Sequence, residues 1–107
     1  MKFEGKTAIV TGGGRDIGRA TSLLLAREGA KVIINYCNDE SSAQQTANDI
    51  RAAGGQCQVQ QADLCAPGAA QALVEFCRSH YGDVIDILVN VTGGLIARKA
   101  LAEMDDA

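Results

Sequence analysis

Short β-branched runs alternate with amphipathic segments along this chain. The runs at residues 7–11, 31–35 and 87–90 are nearly continuous in apolar residues, as in strands that are buried on both faces of a parallel sheet. The stretch from Ile17 to Glu28 has apolar residues at helical spacing, and a glycine of the kind that ends helices follows it. The chain is therefore predicted to begin with a strand, a helix and a second strand.

Further segments continue this alternation. The next one places alanine and isoleucine on one helical face behind Asn38 or Asp39, either of which can cap the helix. Residues 57–62 alternate with glutamines, which predicts a strand at a sheet edge where one face is partly wet. A third helix is predicted to hold Pro67 in its first turn and to end near Tyr81.

The order β-α-β-α-β-α-β predicts the α/β class. We expect a Rossmann-type parallel sheet in the strand order 3-2-1-4 with flanking helices, as an incomplete doubly wound fold. Right-handed crossovers then place a crevice at the carboxyl ends of strands 1 and 4, where ligands bind in such sheets. The length of 107 residues allows one domain at most. A further helical turn is predicted near Ala100 to Ala107.

Composition and charge exclude several classes of function. The net charge is −3 and the basic residues are scattered, so we expect no binding of nucleic acid through a basic face. No apolar stretch reaches the ~18 residues of a membrane helix and no signal peptide is visible, so we expect a cytoplasmic protein without membrane contact. The four cysteines lack metal-ligand spacing and His80 is the single histidine, so we expect no metal site and reduced, mostly buried thiols.

A glycine-rich stretch, Thr11 to Gly18, follows the first strand directly and opens the first helix. The N–H groups at a helix start are unpaired and partly positive, and glycine leaves room for a phosphate to approach them. The lysine and hydroxyl of a P-loop do not follow Gly18, so nucleotide hydrolysis is not expected. The spacing Gly-x-Gly-x-x-Gly fails at Ile17. The spacing Thr-Gly-x-x-x-Gly-x-Gly fits at Thr11, Gly12 and Gly18, with Asp16 in place of the middle glycine.

The chain resembles the short-chain dehydrogenase/reductase family at this loop and at two further motifs. Asp63 and Leu64, after the third strand, look like the family's acidic contact to the adenine ring. Asn90 and Gly93, after the fourth strand, match its Asn-Asn-Ala-Gly segment, whereas the two residues between them do not. The resemblance covers essentially all 107 residues, which correspond to less than half of a usual family member.

The resemblance implies that residues 1–107 are a dinucleotide-binding half-domain and that the catalytic half is absent from this sequence. In the family, a Ser and a Tyr-x-x-x-Lys pair serve hydride transfer between a nicotinamide cofactor and a carbonyl or alcohol. Neither Tyr36 nor Tyr81 starts such a motif, so we assign no catalytic residue and expect no turnover from these residues alone. The implied parent is an NAD(P)-dependent, 3-oxoacyl reductase-like enzyme of a small-molecule substrate and, by analogy, a homo-oligomer. The alternative is a nucleotide-binding module without a reaction of its own.

The end of the second strand bears on the choice between NAD and NADP. In the family a carboxylate there holds the ribose 2′-hydroxyl of NAD, but Asn35 and Tyr36 have no carboxylate. Asp39 is expected to lie too far beyond the end of the strand. Arg15 stands where NADP-preferring members often carry a cation, and a guanidinium suits the oxygens of a 2′-phosphate. We therefore expect NADP, with NAD possible. The alternative is a solvated Arg15 that holds no ligand.

The predicted cofactor-binding residues lie in the glycine loop and at the strand ends: Gly12, Gly14, Arg15, Asp16, Ile17, Gly18, Asn35, Tyr36, Asp63, Leu64, Asn90 and Gly93. Three of them have alternative roles. Asp16 either caps the first helix, where it would compete with a diphosphate, or points away from the crevice. Asp63 either contacts adenine or caps the third helix. Asn90 is expected to tie the fourth strand to the neighbouring loop rather than to act in catalysis.

Overall fold

The structure is a computed structural model that describes residues 1–91, which form one parallel sheet of four strands with three flanking helices. In chain order the elements are β1 (Thr7–Thr11), α1 (Asp16–Arg27), β2 (Lys31–Tyr36), α2 (Glu40–Ala52), β3 (Gln56–Gln61), α3 (Ala69–Tyr81) and β4 (Ile87–Asn90). The strand order is β3-β2-β1-β4, which confirms the predicted α/β class and the order 3-2-1-4. None of these helices is long and apolar enough to cross a membrane. Gly93 and the turn predicted at 100–107 lie outside the described residues.

The sheet carries helices on both faces because alternate side chains of each strand point to opposite sides. One set of buried strand side chains packs against α1 and α2: Ala8, Val10, Val32 and Ile34. On the other face Ile9 and Ile33 pack with Leu73 and Cys77 of α3. All five residues of the central strand β1 are buried. The core therefore fixes β1 and β2 most firmly. β1 leads into the glycine loop, and β2 leads into residues 37–39 before α2.

Two helix starts decide details that the sequence left open. Asp39 caps α2, because its carboxylate accepts the Ser42 N–H at 3.0 Å. Gly68, with a left-handed φ of 78°, is the N-cap of α3, which begins at Ala69. The expectation that Pro67 lies in the first turn is therefore wrong, since a left-handed residue separates it from the helix.

Parallel pairing brings the carboxyl ends of the strands to one edge of the sheet. Thr11 is in register with Asn35 of β2 on one side and with Asn90 of β4 on the other. Asn35 is in turn in register with Gln60 of β3. The glycine loop leaves the sheet at this edge, where the chain order reverses between β1 and β4, and ligands of such sheets bind at that point.

Candidate functional site

A cleft of about 660 Å³ opens at the carboxyl edge of the sheet, over the start of α1. One wall is the glycine loop with the first residues of α1: Gly12, Gly14, Arg15, Asp16 and Ile17. The other wall follows from β2: Tyr36, Cys37, Asn38 and Asp39. Val91 completes the lining. The structure thus brings six of the predicted residues, five from the loop and Tyr36, into one cleft.

The loop consists of glycines because its backbone lies too close to other atoms for side chains. A Cβ on Gly18 would overlap the carbonyl oxygen of Gly12 and lie 2.7 Å from the carbonyl carbon. A Cβ on Gly14 would lie 2.7 Å from the Cα atom of Ala43 in α2. The loop therefore packs closely against α2 on one side. On the other side Gly12 and Gly14 line the cleft with backbone that no side chain covers.

The glycine loop presents N–H groups that can receive an anion. The Gly13 N–H donates to the carbonyl oxygen of Asn35 at 3.1 Å, but the N–H groups of Gly14 and Arg15 have no hydrogen-bond partner within residues 1–91. The first-turn N–H groups of α1 have no partner within the helix either, and the helix dipole adds partial positive charge there. This wall of the cleft therefore presents hydrogen-bond donors and partial positive charge of the kind that can hold an anion.

Asp16 occupies a backbone conformation that suits glycine. Its φ is 54°, and among residues 1–91 no other residue except glycine has a positive φ. The spacing Thr-Gly-x-x-x-Gly-x-Gly has its middle glycine at position 16, and this left-handed backbone is a physical reason for a glycine there. The N-cap of α1 is Arg15, without a side-chain cap hydrogen bond, and Asp16 is already the first helical residue. The capping role considered for Asp16 is therefore wrong.

Arg15 and Asp39 approach each other across the cleft. The guanidinium Nη1 of Arg15 lies 3.4 Å from Oδ2 of Asp39, and the Arg15 side chain is 68% exposed. The Asp39 carboxylate also accepts the Ser42 N–H at 3.0 Å and the Ser42 hydroxyl at 2.8 Å. These bonds from Ser42, with the charge of Arg15, hold the pKa of Asp39 below its usual value. The oxygens of Asp39 are therefore occupied by the cap, whereas the Arg15 side chain is largely exposed to the cleft.

Sequence analysis missed Val91, which follows β4, and three cleft residues that follow β2, namely Cys37, Asn38 and Asp39. The available signal was their position directly after β2, because the chain that follows a strand of a parallel sheet lines the crevice. Asp39 was judged to come late in the chain, but the segment after Tyr36 returns towards the loop and brings Asp39 to Arg15.

Other predicted residues lie away from the cleft lining. Asn35 is 1% exposed and its side-chain amide donates to the carbonyl oxygen of Ala62 at 3.3 Å, so it holds β2 to the chain after β3. Asp63 accepts the Cys65 N–H at 2.9 Å within its own turn and does not cap α3, so that alternative is wrong. Leu64 packs against the apolar cluster under α3. Gly18 is buried behind the loop.

Asn90 links β4 to β1. The Thr11 hydroxyl donates to Oδ1 of Asn90 at 2.8 Å, and the Val91 N–H donates to the same hydroxyl oxygen at 3.2 Å. These bonds fix the end of β4 beside the glycine loop. The structural role expected for Asn90 agrees with this arrangement.

The family model described as short chain dehydrogenase matches residues 6–107. The chain belongs to the short-chain dehydrogenase/reductase family. Within the family, short-chain dehydrogenase/reductase homolog YusS of Bacillus subtilis is 42% identical over 90 residues, which are 84% of this chain and 82% of that protein. Hydroxynaphthalene reductase arp2 of Aspergillus fumigatus is 45% identical over 94 residues, which are 87% of this chain and 34% of that reductase. The chain spans about a third of the length of several curated relatives that it matches.

Solved structures of short-chain dehydrogenases/reductases share this fold. The enzyme of Serratia marcescens has a TM-score of 0.83 and 39% identity, with 87% of this chain and 38% of that chain covered. A short chain dehydrogenase of Burkholderia cenocepacia, solved in complex with NADP, has a TM-score of 0.82 and 39% identity over 87% of this chain and 38% of that chain. The sheet and helices of residues 1–91 thus have the fold of the family.

Proposed function

We propose that this family member binds NADP(H) in the cleft, as the cofactor-binding part of an NADP(H)-dependent oxidoreductase. The observation that carries the proposal is the pair of unpartnered N–H groups, of Gly14 and Arg15, on backbone that no side chain covers. The linked phosphates of a dinucleotide match such a surface beside a helix start. The NADP complex of the Burkholderia cenocepacia relative supports this choice of ligand.

The charges on the two cleft walls favour NADP over NAD. Positions 35 and 36, at the end of β2, hold Asn35 and Tyr36, neither of which has a carboxylate. A carboxylate at this strand end holds the ribose 2′-hydroxyl in family members that use NAD. Asp39 reaches the cleft, but Ser42 already donates to both of its oxygens. Arg15 is exposed beside these residues, and its planar guanidinium can hold two oxygens of a 2′-phosphate. Arg15 is therefore the residue to which we assign selectivity for NADP.

The residues of this chain would bind and orient the cofactor. The loop N–H groups would hold the diphosphate, Arg15 the 2′-phosphate, and the Thr11–Asn90 bond keeps the end of β4 in place beside them. When bound, NADPH supplies the hydride that reduces a carbonyl group. The sequence holds no Tyr-x-x-x-Lys pair, so we assign the proton donor to none of its residues. We propose a 3-oxoacyl reductase-like carbonyl substrate for the whole protein, and the reductase names of two relatives support the class of reaction.

A second candidate function is a nucleotide-binding module without a reaction of its own. The described cleft supports it, because binding of a dinucleotide needs only the loop N–H groups and the Arg15 side chain. Turnover separates the candidates. Oxidation of NADPH by 3-oxoacyl thioesters or cyclic ketones would favour the enzyme, and tight binding of NADPH without its oxidation would favour the module.

The thiol of Cys37 allows a direct test for a ligand in the cleft. Cys37 and Cys65 are exposed, contrary to the expectation of mostly buried thiols, and of the two Cys37 lines the cleft. Cys57 and Cys77 are buried, and burial raises the pKa of both thiols, so they should react slowly. We expect saturating NADP⁺ to slow alkylation of Cys37 and to leave Cys65 unaffected, as measured by peptide mass spectrometry. Equal alkylation of Cys37 with and without NADP⁺ would contradict the proposed site.

Arg15→Gln should lower the affinity for NADP⁺ about 10-fold and change that for NAD⁺ by less than about 2-fold, because one charge-assisted contact to a phosphate is lost. The matched variant is Asp39→Asn, which removes a negative charge near the 2′-phosphate and keeps a good helix cap. We expect it to strengthen NADP⁺ binding about 3-fold. Calorimetric titration of both dinucleotides measures these ratios. An unchanged ratio in Arg15→Gln would show that Arg15 is a solvated loop cation.

Asp16→Gly should raise the free energy of unfolding by about 0.5–1 kcal/mol, because glycine adopts a positive φ without the strain of a Cβ. It should also tighten NADPH binding about 3-fold, since a carboxylate beside the phosphates is removed. Asp16→Asn is the control: it removes the charge but keeps the strain, so it should share the gain in affinity and not the gain in stability. Chemical denaturation and a fluorescence titration with NADPH measure the two effects. An unchanged NADPH affinity in both variants would show that the Asp16 carboxylate does not face the phosphates.

A further inference from the structure

Two buried hydroxyl groups hold the carbonyl oxygens of the glycine loop. Ser22, in α1, donates its hydroxyl to the carbonyl oxygen of Gly13 at 3.2 Å. Thr46, in α2, donates its hydroxyl to the carbonyl oxygen of Gly14 at 2.8 Å. Both hydroxyl-bearing side chains are fully buried, at 0% exposure. Two consecutive peptide groups of the loop are therefore anchored from the protein side by side chains that do not touch the cleft.

The orientation of a carbonyl also fixes the next N–H group. In a trans peptide the C=O of one residue and the N–H of the following residue lie in one plane and point in opposite directions. The carbonyl of Gly13 faces Ser22, so the Gly14 N–H points away from it, and the same holds for the carbonyl of Gly14 and the Arg15 N–H. Neither of these two N–H groups has a hydrogen-bond partner in the described part of the chain, and both residues line the cleft.

Arg19 fixes the direction in which the Thr46 hydroxyl donates its proton. Arg19 donates from Nη1 to the Thr46 hydroxyl oxygen at 3.1 Å, which occupies an acceptor position of that oxygen. The same guanidinium is paired with the carboxylate of Asp49, and their hydrogen bond lowers the pKa of Asp49. A threonine hydroxyl carries one donor, and with Arg19 on its acceptor side that proton is left for the Gly14 carbonyl. The bond from Thr46 to the loop is thus polarised and fixed in direction.

We propose that Thr46 is a positioning residue for cofactor binding, which holds the peptide between Gly14 and Arg15 so that its N–H faces the phosphates of the dinucleotide. Ser22 acts in the same way on the preceding peptide. This role rests on the proposed NADP(H) site. It assigns part of the phosphate affinity to a side chain of α2 that has no contact with the ligand, and it makes the contact between α1 and α2 a determinant of that affinity.

The test compares Thr46→Val with Thr46→Ser in the full chain. Valine keeps the branched shape and loses the hydroxyl, so the Gly14 peptide can rotate, and we expect the affinity for NADP⁺ to fall about 10-fold, the value of one bond to a charged phosphate. Serine keeps the hydroxyl and should restore most of the affinity. Without ligand, the NMR shift of the Gly14 carbonyl carbon should move in Thr46→Val and stay near the wild-type value in Thr46→Ser, because it reports the lost hydrogen bond directly.

A control separates positioning from general loss of stability. Ile50→Val removes a methyl group from the buried face of the same helix and should lower Tm by about 3–8 °C, as Thr46→Val should, with unchanged affinity for NADP⁺. Wild-type affinity in Thr46→Val, an equal loss of affinity in Ile50→Val, or no rescue by serine would each overturn the positioning role alone. A wild-type chain that binds no NADP⁺ would overturn the proposed function, and this role with it.

Discussion

Gly18→Ala is expected to weaken NADP⁺ binding by about 100-fold or more. The added Cβ would overlap the carbonyl oxygen of Gly12 and lie 2.8 Å from the Cα atom of Gly13, and all of these atoms are backbone that no side-chain rotation can move. The first turn of α1 must therefore separate from the loop. Displaced backbone of this kind costs about 1–3 kcal/mol or more, and it removes the N–H groups from the positions that the phosphates require.

A control variant distinguishes this effect from simple destabilisation. Gly54 has a φ of 90° and open space around it, so Gly54→Ala adds backbone strain of about 1 kcal/mol without a clash. It lies before β3, at the end of the sheet away from the cleft. We expect Gly54→Ala to lose stability and to keep its affinity for NADP⁺, measured by calorimetric titration at a temperature where both variants are folded. Near wild-type affinity in Gly18→Ala would contradict the close packing of the loop.

Ile33→Ala is expected to lower the free energy of unfolding by about 2–5 kcal/mol. Ile33 is 0% exposed in β2 and packs with Leu73 and Cys77 of α3, so the truncation leaves a cavity between the sheet and its helix. This is a large part of the total stability of a small domain, which is about 5–15 kcal/mol. Urea denaturation followed by circular dichroism measures it.

Leu88→Ala is the matched change on the same face of the sheet. Leu88 is the register partner of Ile9 in β4, but its side chain is 67% exposed. We expect a loss of stability below about 0.5 kcal/mol, since little apolar contact is removed. A loss in Leu88→Ala as large as that in Ile33→Ala would contradict the described exposure of β4.

The sheet order could be predicted from the sequence because each element carries its own local signal. The runs at 7–11 and 31–35 are β-branched and apolar, and the helices between strands end at glycines such as Gly29. Handedness and the parallel crossover then leave few topologies, and the structure has the expected order. The cleft wall from Gly12 to Ile17 followed from the same reasoning, because a glycine loop between strand and helix has one place in this fold.

The parts that could not be predicted depend on contacts between distant residues. The left-handed φ of Asp16 is set by the packing of the loop, and from the sequence an aspartate at a helix start equally predicts a cap. Asp39 and Thr46 reach the loop only because α2 packs beside α1, and neither belongs to a recognisable motif. Proline is common in the first turn of helices, so Pro67 predicted a helix start. The adjacent Gly68 adopts a left-handed conformation, and α3 begins only at Ala69.

We propose that the free N–H groups of the glycine loop receive the phosphates of a pyridine dinucleotide. Amide NMR spectra of the full chain, recorded while NADP⁺ is added, test it most directly. We expect the amide signals of Gly14, Arg15 and Ile17 to shift and saturate together, while those of Gly54 and Gly55 at the opposite end of the sheet stay in place. Loop signals that do not move at saturating NADP⁺, or shifts confined to other parts of the sheet, would contradict the account.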